Sequence, residues 1–173
     1  MIFNVRGNSA QQAVIANAVA NTRFDPELMR PGLKKATGKD AIDVYFRNLG
    51  SSIGGTASTA GIVEINTSLS DLSAAQVFVM EGYAHCTDFF YLTAAQRKLI
   101  YNLWHPNGPD GHSWFEPSSY WNQVGESLMD LFVWAFTPWK TQNAFVHKPT
   151  EALAVQLPAI YGGSLPPIPP PVP

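Results

Sequence analysis

The chain has 173 residues, a formal net charge of −2, ordinary apolar content, few charged residues and one cysteine. That length suits one domain with a real core, the lone Cys86 excludes an internal disulfide, and no basic stripe points to nucleic acid. The longest apolar runs are too short and too often interrupted for a membrane span, and residues 1–20 lack the basic start and apolar block of a secretory signal, so synthesis in the cytoplasm is expected.

In chain order, Ser9 to Gln12 reads S-x-x-Q, a capping box in which each side chain satisfies a free backbone donor. It predicts a first helix with Val14, Ile15, Ala18 and Val19 on one face. Residues 22–40 hold two prolines, two glycines and much of the basic charge, which predicts loop, with room for a short turn of helix. The run AIDVYFRNL at 41–49 reads as a strand. The glycine-rich GSSIGGTASTAG that follows reads as a hairpin loop or an irregular edge. GIVEINTSL at 61–69 alternates as a second strand, with Ile62, Glu64 and Asn66 on one side and Val63, Ile65 and Thr67 on the other.

Ser73 to Gln76 and Thr93 to Gln96 look like two further capping boxes, opening helices over AAQVFVMEGYAHCTDFF and AAQRKLIYNLW. HPNGPDGHSWFEP is rich in turn residues and predicts a loop. A long helix is expected from Ser118 or Ser119 to Phe136, stopped by Pro138 and apolar almost all round in its second half. Thr150 caps a last short helix ended by Pro158, and LPPIPPPVP predicts an extended proline-rich arm. The sum is a single α+β domain over 1–161, a small sheet packed on helices, followed by an arm over 162–173.

The chemistry concentrates in EGYAHCTD. Glu81 and His85 lie four apart, so they project from one helix face, shared with Val77, Phe78 and Asp88. A charged residue among apolar neighbours is costly unless paired or metal-bound. Glu126, in the company of Met129 and Val133, is the natural third member. Glu81, His85 and Glu126 therefore read either as a metal site or as a metal-free polar cluster.

EGYAHCTDF followed by YLTAAQR is similar to the helix of gluzincin metallopeptidases, which reads H-E-x-G-H-x-x-D-F before a leucine-threonine turn. GESLMDLF resembles the downstream A-E-A-F-A-x-x-F pattern, which would make Glu126 the glutamate ligand. The resemblance, to a degenerate zincin domain, spans about residues 40–136 and implies zinc or another divalent ion such as Mn²⁺. Two positions depart from it. Glu81 stands at the first histidine, and Gly82 stands where the general-base glutamate belongs. That glutamate carries a proton from metal-bound water to the leaving amine, and glycine can do neither half of this.

The resemblance therefore implies a zincin-like pseudoenzyme with no catalytic residue, working through contacts with other proteins in a larger assembly. Small proteins of this style also resemble virion proteins of actinobacterial phages, which implies a tail or tail-tip component with the polyproline arm as docking element. The alternatives are an active metallopeptidase in which Glu64, Asp88 or Tyr83 replaces the base, and a metal- or peptide-binding module gripping an extended peptide beside strand 61–69.

Elsewhere the bland readings lead. His105 and His112 read as solvated loop histidines, His147 as a surface residue, and Cys86 as a buried thiol. Trp104, Trp114, Phe115, Tyr120 and Trp121 read equally as the rim of the core or as a binding surface.

Overall fold

The structure, a computed structural model, describes residues 1–105, 124–141, 143 and 147–162. His112, Trp114, Phe115, Tyr120, Trp121, the expected start of the long helix and the arm beyond Gly162 lie outside these residues. The chain is an α+β protein that divides into two compact units, Met1–Tyr91 and Leu92–Pro173.

The first unit is built on a four-stranded sheet in the order β1-β2-β4-β3, comprising β1 (Phe3–Arg6), β2 (Ile42–Arg47), β3 (Gly55–Ser58) and β4 (Ile62–Asn66). β1 and β4 both run parallel to β2, and β3 is the antiparallel edge beside β4. Register separates the two faces. Phe3, Ile42, Val44, Val63 and Ile65 are buried on one side, and Asn4, Arg6, Asp43, Arg47 and Glu64 occupy the other. The polar face satisfies itself: Asn4 Nδ2 donates to Asp43 at 2.8 Å, Arg47 pairs with Glu64 at 2.9 Å, and the Arg47 guanidinium lies 4.8 Å from the Tyr45 ring centroid.

Three stretches of the first unit depart from the sequence reading. β1 had no strand prediction, because four residues carry little pattern; its pairing with β2 makes it a strand. The stretch expected to be loop holds a 3₁₀ turn (Pro26–Met29) and a two-turn helix, α2 (Arg30–Thr37). Asp25 caps the turn, Pro31 sits in the first turn of α2 where its missing N–H costs nothing, and Met29 and Leu33 supply the buried contacts. The glycine-rich stretch yields β3, closed on β4 by a three-residue turn whose Gly61 takes a φ of 68°.

α1 (Ser9–Ala20) is present, but its cap is Asn8, whose side chain accepts from Gln11 N while Gln11 Oε1 accepts from Asn8 N. Only Ile15 and Ala18 of the expected face are buried, with Val14 and Val19 half-buried. The helix expected from Ser73 starts at Asp71 instead, capped by Ser70. Both corrections have one cause: several polar residues in a row can cap, and the winner is set by where the chain leaves the sheet.

In the second unit, α5 (Ala94–Trp104) has the predicted Thr93–Gln96 capping box. α6 (Val124–Phe136) ends where expected, and every residue except Glu126 and Trp134 is buried. The Phe132 and Phe136 rings lie tilted with centroids 4.4 Å apart, and Tyr161 packs edge-on against both. Thr150 caps α7 (Glu151–Ala154). Pro158 does not end that helix; it lies in the first turn of a further one, α8 (Leu157–Ile160).

Candidate functional site

The long helix after β4 is not a regular α-helix. It runs as α3 (Asp71–Phe78), a π-helical segment (Val79–His85) and α4 (Cys86–Phe90). Glu81, Gly82 and His85 all fall in the π segment, a geometry that recurs at functional sites. Its effect is to straighten one line of side chains. An α-turn holds 3.6 residues, so a four-residue repeat drifts around the helix. A π-turn, closed by i→i+5 bonds, is wider and drifts the other way.

From Val77 to Phe90 the residues that escape full burial are Val77, Glu81, His85 and Phe89, a strict four-residue repeat. This corrects the predicted face. Val77 belongs to it, but Phe78 and Asp88 are turned into the interior, and Phe89 takes the end of the line. The repeat was visible in the sequence, but only the π ladder makes it a face.

Along this line the Glu81 carboxylate and His85 Nε2 stand 3.9 Å apart, with side-chain exposures of 12% and 13%. The His85 ring lies parallel to the Phe89 ring, 5.8 Å between centroids. β3 borders the same line. A Cβ built on Gly55 would meet Val77 Cγ1 at 2.6 Å, Glu81 Cγ at 2.9 Å and the Glu64 carbonyl oxygen at 2.9 Å. Gly55→Ala is therefore expected to cost about 1–3 kcal/mol by overpacking, readable in urea unfolding; an unchanged midpoint would mean that β3 does not press on the helix.

Gly82 faces elsewhere. A Cβ there would lie 2.6 Å from the Phe78 ring, and that ring belongs to the buried cluster of the first unit. Phe3 packs at 4.9 Å on Phe78 and 5.1 Å on Tyr83, and Phe24 reaches Tyr83 at 6.5 Å and Tyr91 at 5.5 Å. Position 82 thus points into aromatic packing.

The substitutes fare no better. Tyr83 is fully buried in that cluster, and burial, with the Asp25 charge added, pushes its hydroxyl well above the ordinary tyrosine range. Glu64 is on the opposite sheet face from Gly55 and the line, held by Arg47 and by Thr56 Oγ1 at 3.3 Å. Asp88 is buried.

Cys86 is buried as expected. Burial first, then the Glu81 charge, raises its thiol far above the usual value. The native protein is expected to resist iodoacetamide at pH 8 and to react once unfolded. The folded-state value is the raised one, so this group favours folding fully below the unfolded thiol value of about 8.5 and progressively less above it. Rapid native labelling would contradict the buried placement.

The expected ligand set divides between the units: Glu81 and His85 stand together in the first, and half-buried Glu126 lies in the first turn of α6 in the second. Among the described residues no group of three or more His, Cys, Asp or Glu side chains is arranged to hold a metal ion.

The second unit carries two features that the sequence reading missed. His105 and His147, expected at the surface, are 7% and 6% exposed with ring centroids 4.9 Å apart. Tyr101 lies 4.3 Å from the His105 ring, and Trp104, 5.7 Å from His147, donates its indole N–H to the Lys148 carbonyl at 3.1 Å. Trp104 thus belongs to packing within this unit.

The other feature is Asp130, fully buried on α6, which accepts from Thr141 Oγ1 at 2.9 Å, Asn143 N at 2.6 Å and Asn143 Nδ2 at 2.7 Å. A lone acid inside LMDLFVWAF was the available signal, because a buried carboxylate needs donors. The chain matches no family model, no curated protein and no solved structure.

Proposed function

We propose that this protein is a non-catalytic, zincin-like interaction module and a structural part of a larger protein assembly. The observation that carries this reading is the placement of Gly82: the position where a metallopeptidase keeps its general base is a glycine pressed against the Phe78 ring. The line Val77–Glu81–His85–Phe89, with a polar pair between an aliphatic and an aromatic end, is suited to contact rather than to proton transfer. The phage resemblance would make the assembly a virion tail or tail tip.

A broad peptide library, incubated with the protein and saturating Zn²⁺ or Mn²⁺ and read by mass spectrometry, is expected to show no cleavage. Turnover that disappears in Glu126→Ala would overturn the proposal in favour of a metallopeptidase. A peptide-gripping role remains compatible with the sheet at a different place from the one the sequence suggested. β4 is hydrogen-bonded on both sides, to β2 and β3, so an added strand would pair with an outer edge of the sheet, at β1 or β3.

A further inference from the structure

We draw no further inference here: the strongest candidate, the buried His105–His147 pair of the second unit, brings two imidazoles to 4.9 Å with no third ligating side chain among the described residues, and nothing in the structure shows what it would bind.

Discussion

Gly82→Glu is expected to destabilise the protein by about 3–5 kcal/mol and to create no peptidase activity. The substitution supplies the residue type that the proposed zincin likeness would place at this position, so it tests whether the packing of the helix leaves room for a carboxylate there. The Phe78 ring lies 2.6 Å from where the new Cβ must go. The carboxylate beyond it would enter the cluster of Phe3, Phe78 and Tyr83, where burial penalises charge.

Gly82→Ala separates the two costs. It adds only the clash, about 1–3 kcal/mol, offset by the roughly 1 kcal/mol that alanine gains over glycine in a helix. Combining Gly82→Ala with Phe78→Ala should recover part of the loss, because one side chain then occupies the space the other vacates. Chemical unfolding of the four proteins gives the coupling directly. A Gly82→Glu variant as stable as the parent, or one that cleaves peptides, would mean that position 82 faces an accessible cleft.

Asp130→Ala is expected to cost about 3–5 kcal/mol, because the change removes both acceptor oxygens from three donors at once. Those donors belong to Thr141 and Asn143, so the loss should loosen the segment after α6 before it affects the helix itself. Trp134 reports on that segment. Its indole N–H donates to the Thr141 carbonyl at 2.6 Å, and Lys140 sits over its ring at 4.8 Å. A shift in tryptophan emission should therefore accompany the lower unfolding midpoint. Asp130→Asn should fall between parent and alanine, since the amide keeps one acceptor but turns a donor toward other donors. A loss below about 1 kcal/mol for the alanine variant would mean that solvent replaces the carboxylate easily and that Asp130 is not a fastening.

The reading of the histidines shows where local pattern fails. His105 follows α5, next to turn residues, and His147 precedes Lys148 and Pro149, so composition points to solvent for both. They are buried because two segments more than forty residues apart meet in the second unit, a contact no window of sequence contains. The line on the long helix fails differently. Glu81 and His85 were legible as a pair because the i,i+4 relation survives in either kind of helix. Their neighbours were not, because an α-helical wheel assigns Phe78 and Asp88 to that face and the π segment turns both inward.

The sequence by itself determined the α+β class, the strands at 42–47 and 62–66, the Thr93 and Thr150 caps, the end of α6 before Pro138 and the burial of Cys86. These follow from short-range causes: alternation, capping chemistry and the missing N–H of proline. Tertiary structure alone decided that Phe3–Arg6 is a strand, that Gly82 is closed off by Phe78 and that His105 meets His147. Each of these depends on a partner distant in sequence or on a helix ladder that slips from i→i+4 to i→i+5, and neither cause leaves a mark in a local run of residues.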